Sequence, residues 1–97
     1  MKILVNHSLP TVEAKNRILK LAEELKKDYG SQISNYSETW NGNVAEIALK
    51  AMGMNISGTL EIFSDKVTMN GKVPLMAKPF QGQIENLIKS KLVELLA

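Results

Sequence analysis

A strict alternation of apolar and polar side chains over residues 54–63 constrains the fold more than any other feature of this sequence. One set of alternate positions is apolar or small: Met54, Ile56, Gly58, Leu60 and Ile62. The positions between them are polar: Asn55, Ser57, Thr59 and Glu61. Side chains of a β-strand point alternately to its two faces, so this segment is a strand with one buried and one solvated face. Such strands belong to antiparallel sheets that are covered on one side only.

Turn sequences divide the flanking chain into further strands. The other segments with strand-like composition are residues 2–7, 32–40, 43–49 and 67–73. The turns between the later strands are Asn41-Gly42, Met52-Gly53 and Ser64-Asp65. Asn-Gly is a strong hairpin signal because both central turn positions adopt positive φ. We therefore predict four consecutive strands over residues 32–73, while the place of the first strand in the sheet stays open.

Two segments carry apolar residues at helical spacing. The first opens at Pro10-Thr11, ends at a C-cap glycine, Gly30, and has an apolar stripe of Ala14, Ile18, Leu21, Ala22, Leu25 and Tyr29. The second has Pro79 in its first turn and a stripe of Phe80, Ile84, Leu87, Ile88, Leu92, Leu95 and Leu96. The apolar side of the sheet can bury both stripes. The sequence predicts one α+β domain over residues 1–97, ordered β-α-β-β-β-β-α, with an antiparallel sheet and two helices packed on one face.

Composition excludes several function classes. The absence of cysteine excludes disulfides, thiolate nucleophiles and cysteine metal sites, and it indicates a cytoplasmic protein. The net charge of +2 comes from lysines interspersed with acids, whereas a nucleic-acid interface is a one-signed stripe richer in arginine. The sequence has no run of ~20 apolar residues that would form a transmembrane segment. It also has no phosphate-binding glycine loop, metal-ligand spacing or nucleophile motif, so we expect no cofactor.

Short motifs spread along the chain are together typical of one family. They are His7-Ser8-Leu9, Tyr29-Gly30, Trp40-Asn41-Gly42-Asn43, Gly58-Thr59-Leu60-Glu61-Ile62 and Pro79-Phe80-Gln81-Gly82-Gln83-Ile84-Glu85. With these motifs the sequence resembles the polyhydroxyalkanoic acid system proteins over nearly its whole length. That family is associated with bacterial polyester storage, and no molecular activity is assigned to it. The resemblance therefore implies an accessory protein of bacterial origin without implying a reaction.

His7 and Trp40 are the candidate site residues with the most distinctive chemistry. His7 is the only histidine, and it could act as a general base or contact a ligand at the end of the first strand. It could also hydrogen-bond the start of the first helix, which we favour because the sequence places no partner nucleophile with it. Trp40 could anchor a partner, although a tryptophan beside a tight turn more often packs across the hairpin.

The other candidates for contact with a ligand or partner belong to the last strands and the last helix. Gly58 leaves room for close approach to the sheet, and tight packing against Gly82 is the interpretation that we favour over a small cavity. Met69 is one of five methionines, whose adaptable side chains either fill the core or form an apolar pocket or interface. Phe80 and Ile84 lie on the helical stripe that would face such a pocket.

Three function hypotheses follow from these observations. The first is a non-enzymatic accessory protein that contacts a polyester granule or another protein on the granule. Its oligomeric state stays open, and a homo-oligomer is compatible with the sequence. The second is an apolar-ligand-binding module with a pocket between the last helix and the sheet, as in the helix-grip proteins that this element order resembles. The third is an enzyme that uses His7 with a carboxylate on a thioester or hydroxyacyl substrate. Separately, the carboxylates of Glu38, Glu46 and Glu61 are predicted to lie on the polar sheet face, where we favour solvated cross-strand pairing over acid–base work or cation binding.

Overall fold

The computed structural model describes residues 1–51 and 53–97 of the chain. The strands in this part are β1 (Lys2–Asn6), β2 (Ile33–Asn41), β3 (Val44–Ala51), β4 (Met54–Ile62) and β5 (Lys66–Lys72). The helices are α1 (Thr11–Ile18), α2 (Leu21–Tyr29) and α3 (Gln81–Leu96), and a 3₁₀ helix (Leu75–Phe80) precedes α3. Of the predicted reversal at Met52-Gly53, Met52 lies outside the described residues, while Gly53 has a φ of +80° between β3 and β4.

The strands form one antiparallel sheet in the order β1-β5-β4-β3-β2. Strands β2 to β5 pair consecutively, and β1 returns to pair with β5, so that Leu4 lies opposite Thr68. This arrangement confirms the α+β class and the predicted order of strands and helices. It also places β1 at one edge of the sheet and β2 at the other.

One face of the sheet holds the core and is covered by the helices. The alternating set of β4 is buried as predicted, since Ile56, Leu60 and Ile62 are 2%, 0% and 4% exposed. The helices add Ala14, Ile18, Leu21 and Leu25 from α1 and α2, and Ile84, Ile88, Leu92 and Leu96 from α3. Because α3 contacts α1, α2 and β1, it lies beside the first two helices on the same face.

The first predicted helix is interrupted between Ile18 and Leu21. The N–H of Lys20 donates to the carbonyl of Arg17, three residues earlier, at 3.1 Å, so the chain tightens there into a 3₁₀-type turn. No glycine or proline marks this position in the sequence. Ile18 and Leu21 are both buried, so the interruption leaves the predicted apolar stripe on the core side.

Two helix ends differ in detail from the prediction. Pro79 lies inside the 3₁₀ helix, and α3 begins at Gln81 rather than around the proline. Gly30 is the C-cap residue of α2 as predicted, but its φ of −55° is right-handed. The chain therefore leaves α2 without the left-handed conformation for which a C-cap glycine is usually selected.

The β2–β3 hairpin turns one residue later than predicted. Asn41 pairs with Val44, so the loop residues are Gly42 and Asn43. Gly42 has a φ of +63°, whereas Asn43 does not have positive φ. Glycine at the first central position with positive φ is the pattern of a type II′ turn, in which the second position needs no special residue.

A β-bulge in β2 decides which side chains of this strand face the helices. Asn35 and Tyr36 together lie opposite the single residue Leu49 of β3. Asn35 has a φ of +53°, a left-handed conformation that asparagine tolerates better than most residues. Because side chains alternate along a strand, one extra residue moves every later side chain of the strand to the opposite face of the sheet. Glu38 and Trp40 consequently share the covered face.

Candidate functional site

The structure spreads the predicted site residues over the fold. They are His7 after β1, Trp40 on β2, Gly58 on β4, Met69 on β5, Phe80 in the 3₁₀ helix and Ile84 on α3. Gly58 and Met69 are neighbours, since a Cβ added at position 58 would lie 3.0 Å from the Cε atom of Met69. Ile84 is buried, whereas Phe80 is 43% exposed. The predicted place of Phe80 on the buried stripe is wrong, because Phe80 belongs to the 3₁₀ helix before α3 and does not follow the spacing of that helix.

Both ring nitrogens of His7 bind backbone groups. The N–H of Leu9 donates to Nδ1 at 3.1 Å, which makes Nδ1 an acceptor. Nε2 therefore carries the proton and donates to the carbonyl of Phe63 at 2.9 Å. The His7 backbone N–H donates to the carbonyl of Asp65 at 2.9 Å. The buried ring thus ties the segment before α1 to the β4–β5 turn, and neither nitrogen is free to take a proton from a substrate.

Trp40 belongs to a half-buried polar cluster on the covered face of β2. Its Nε1 donates to one oxygen of the Glu38 carboxylate at 2.6 Å, and the Tyr36 hydroxyl donates to the other at 2.8 Å. Burial, followed by the hydrogen bond to Glu38 and its negative charge, raises the pKa of Tyr36 above its ordinary value. Lys15 of α1 places its Nζ 4.9 Å from the centroid of the indole ring. The tryptophan therefore joins α1 to the edge strand of the sheet.

The carboxylates that the sequence analysis grouped together are divided between the two faces of the sheet. Glu46 and Glu61 lie on the uncovered face, where the hydroxyl of Thr59 donates to both oxygens of Glu46 at 3.2 Å. Glu38 lies on the covered face and pairs with the buried Ile47. The prediction for Glu38 is wrong because the bulge in β2 reverses the alternation.

Glycine is required at position 58 because the backbone of the neighbouring strand β5 approaches closely there, and not because a helix does. It pairs with Gly71 of β5, and a Cβ at position 58 would lie 2.9 Å from the carbonyl oxygen of Asn70 and 3.2 Å from the Cα of Gly71. Gly82 is exposed at the start of α3, and a Cβ there would meet no atom within 4 Å outside its own helical backbone. The predicted packing of Gly58 against Gly82 is therefore wrong.

Replacing Gly58 by alanine should lower the free energy of unfolding by about 1–3 kcal/mol, because the new methyl group overlaps backbone atoms that cannot move independently. The matched variant Gly82→Ala should instead raise it by about 0.4–1 kcal/mol, since alanine reduces the entropy of the unfolded chain and meets open space. Urea denaturation of both variants measures the two changes. Equal stability of Gly58→Ala and the parent protein would contradict the close approach of β5.

The space between α3 and the sheet is filled. A void of about 30 Å³ lies there, lined in part by Leu25, Ile33, Leu49, Ile84 and Ile88. That is roughly the volume of one water molecule in the liquid, whereas sites for drug-sized ligands span ~300–1,000 Å³. Within residues 1–51 and 53–97, the predicted ligand pocket is not present, and the apolar-ligand-binding alternative is not supported.

A buried lysine on α3 escaped the sequence analysis. The side chain of Lys91 is 7% exposed and contacts Asp28, with its Nζ also 3.2 Å from Glu94 and 3.8 Å from Glu24. The hydrogen bond to Asp28 raises the pKa of Lys91, and Glu94 adds to this effect, although burial alone would lower it. Lys91 thus fastens α3 to α2. Its position seven residues after Ile84, within the apolar stripe, was the available signal.

The 3₁₀ helix exposes apolar side chains that sequence analysis did not single out as a site. Leu75 and Met76 are 79% and 84% exposed, more than any other large apolar residue in the described part of the chain. Met76 is one of the five methionines predicted to fill the core or form an apolar surface. The available signal was a short apolar run enclosed by Pro74 and Pro79, which break both strand and helix patterns.

The fold and this site define a small α+β protein. Its histidine and the half-buried carboxylate of Glu38 are both hydrogen-bonded to other groups of the same chain. A family model described as "Putative polyhydroxyalkanoic acid system protein" matches residues 1–96. The chain therefore belongs to this family, which confirms the resemblance seen in the sequence. No curated protein and no solved structure matches it. Among the helices of the described residues, none has the length and apolarity to cross a bilayer.

Proposed function

We propose that this protein is a non-enzymatic accessory component of the polyhydroxyalkanoate system that associates with polymer granules in the bacterial cytoplasm. The observation that carries the proposal is the family match over residues 1–96, which covers almost the whole chain. The family description names the storage system and no reaction. Contact with the granule, directly or through another protein on it, is the role that follows.

The surroundings of the polar side chains support a role without catalysis. A general acid or base must come within hydrogen-bond reach of its substrate. Both nitrogens of His7 bind backbone groups, and the Glu38 carboxylate is bound by Tyr36 and Trp40. Lys91 is enclosed by the carboxylates of α2 and α3. These groups connect elements of the fold, which favours action through the protein surface.

Co-sedimentation with polymer granules tests the association. Purified protein mixed with washed granules should move with them in a density gradient, and the bound amount should saturate as protein is added. Binding should persist with excess serum albumin, which blocks non-specific adsorption. Protein that remains in the soluble fraction at every granule concentration would overturn the proposal.

A turnover assay tests the non-enzymatic part. Purified protein incubated with hydroxyacyl thioesters, or with the polymer itself, should release no thiol and no free hydroxy acid above the buffer blank. Release that scales with protein concentration, and that is lost in His7→Ala while the fold is retained, would show an enzyme instead.

A further inference from the structure

The 3₁₀ helix presents two exposed edges and one that is partly buried. Residues three apart eclipse each other in a 3₁₀ helix, so Leu75 lies above Lys78, and Met76 above Pro79. On the third edge Ala77 is fully buried, while Phe80 at the end of the same edge is 43% exposed. Leu75, Met76, Lys78 and Pro79 therefore form a projecting surface, the 75–79 tip, with Phe80 half-exposed at its base.

The charged side chains of the tip and of the strand end before it are lysines. From Val67 to Ile84 the sequence has lysines at positions 72 and 78 and no aspartate or glutamate, and Glu46, an acid on the uncovered face, lines the same surface depression as Lys72. Lys72 ends β5 and Lys78 lies within the tip, and both are exposed. An apolar projection with cationic flanks complements a surface that is apolar inside and anionic outside.

We propose that the 75–79 tip inserts Leu75 and Met76 into an anionic phospholipid surface while Lys72 and Lys78 contact its headgroups. Interfacial binding of this kind scales with the apolar area inserted and with attraction to anionic lipids. This inference rests on the proposed granule association only for its biological setting. The exposed side chains of the tip and the two lysines are observed in the fold itself.

The size of the tip argues against a second copy of the chain as its occupant. A stable protein interface buries ~800 Å² on each partner. Even a large aromatic side chain contributes only ~150–250 Å², so Leu75, Met76 and the half-exposed Phe80 fall short of that area. A lipid surface has no such threshold, because each inserted side chain adds to binding on its own.

Vesicle co-sedimentation tests the proposal with the whole chain. The protein should bind vesicles of phosphatidylcholine containing about 30% phosphatidylglycerol and should bind pure phosphatidylcholine vesicles much more weakly. The double variant Leu75→Ser/Met76→Ser should bind the anionic vesicles at least about tenfold more weakly. Lys72→Gln/Lys78→Gln should lose roughly fivefold per lysine and most of the salt dependence.

A matched control removes the same number of exposed apolar side chains elsewhere. Val12 and Val93 are 72% and 49% exposed on α1 and α3, and Val12→Ser/Val93→Ser should bind like the parent protein. Urea denaturation should show every variant folded. Equal binding by the parent and Leu75→Ser/Met76→Ser, or equal binding to both kinds of vesicle, would overturn the proposal.

Two results separate this inference from the proposed function. If Leu75→Ser/Met76→Ser binds both anionic vesicles and granules as the parent protein does, the tip is overturned and the granule association stands. Vesicle binding that depends on the tip, in a protein that ignores granules, would support the tip and overturn the granule association. A concentration-dependent dimer that Leu75→Ser/Met76→Ser dissociates would assign the tip to a second copy and overturn the lipid proposal.

Discussion

Replacing Leu92 by alanine should lower the free energy of unfolding by about 2–5 kcal/mol, as large an effect as we expect from any single truncation in the core. Leu92 is fully buried on the side of α3 that faces the sheet. Truncation removes apolar contacts and leaves a cavity that the surrounding strands and helices fill only in part. Urea denaturation should show a lower midpoint at an unchanged slope.

The neighbouring residue provides the control for Leu92. Val93 is 49% exposed on the outer side of α3, so Val93→Ala should change the free energy of unfolding by no more than about 0.5 kcal/mol. The contrast between adjacent positions measures which side of α3 is covered. Comparable stabilities of the two variants would mean that α3 does not pack on the sheet, and the filled space beneath it would have to be reconsidered.

Replacing His7 by alanine should lower the free energy of unfolding by about 2–4 kcal/mol, although the residue is the most obvious catalytic candidate in the sequence. The substitution leaves the N–H of Leu9 and the carbonyl of Phe63 without their partner. Loss of these part-buried hydrogen bonds costs ~1 kcal/mol or more, since a fully buried group without a partner costs ~1–3 kcal/mol, and loss of the buried ring adds a packing defect. Urea denaturation measures the loss.

Ser8→Ala is the matched control for His7. Ser8 is exposed in the same segment, and its substitution should change stability by less than about 0.5 kcal/mol. We also expect His7→Ala to bind granules like the parent protein at temperatures where both are folded. A His7→Ala variant with full stability but no granule binding would contradict the structural role and make His7 a contact residue.

Much of the fold could be predicted from residues 54–63 and the two apolar stripes. The alternation along β4 reports directly which side chains are buried, because the period of a strand is a local property of its backbone. The stripe ending in Leu92 and Leu96 likewise identifies the buried side of α3. The family resemblance came from short motifs spread along the chain and was confirmed over residues 1–96.

The candidate site was harder to predict, since its members depend on contacts between distant segments. The partners of His7 come from the loop before α1 and from Phe63, 56 residues away. The constraint on Gly58 comes from the backbone of β5, which no local pattern reveals. The exposure of Leu75 and Met76 follows from the way the chain leaves β5, so the same residues could have been core in another fold.

The sequence by itself determined the class of fold, the order of its strands and helices along the chain and most residues of its core, because hydrophobic periodicity is a property of each segment separately. Only the tertiary structure decided that β1 pairs with β5, that a bulge at Asn35 turns Glu38 and Trp40 toward the helices, and that Leu75 and Met76 face solvent. Pairing, register and exposure are relations between segments, and a one-residue slip exchanges the two faces of a strand without changing its composition.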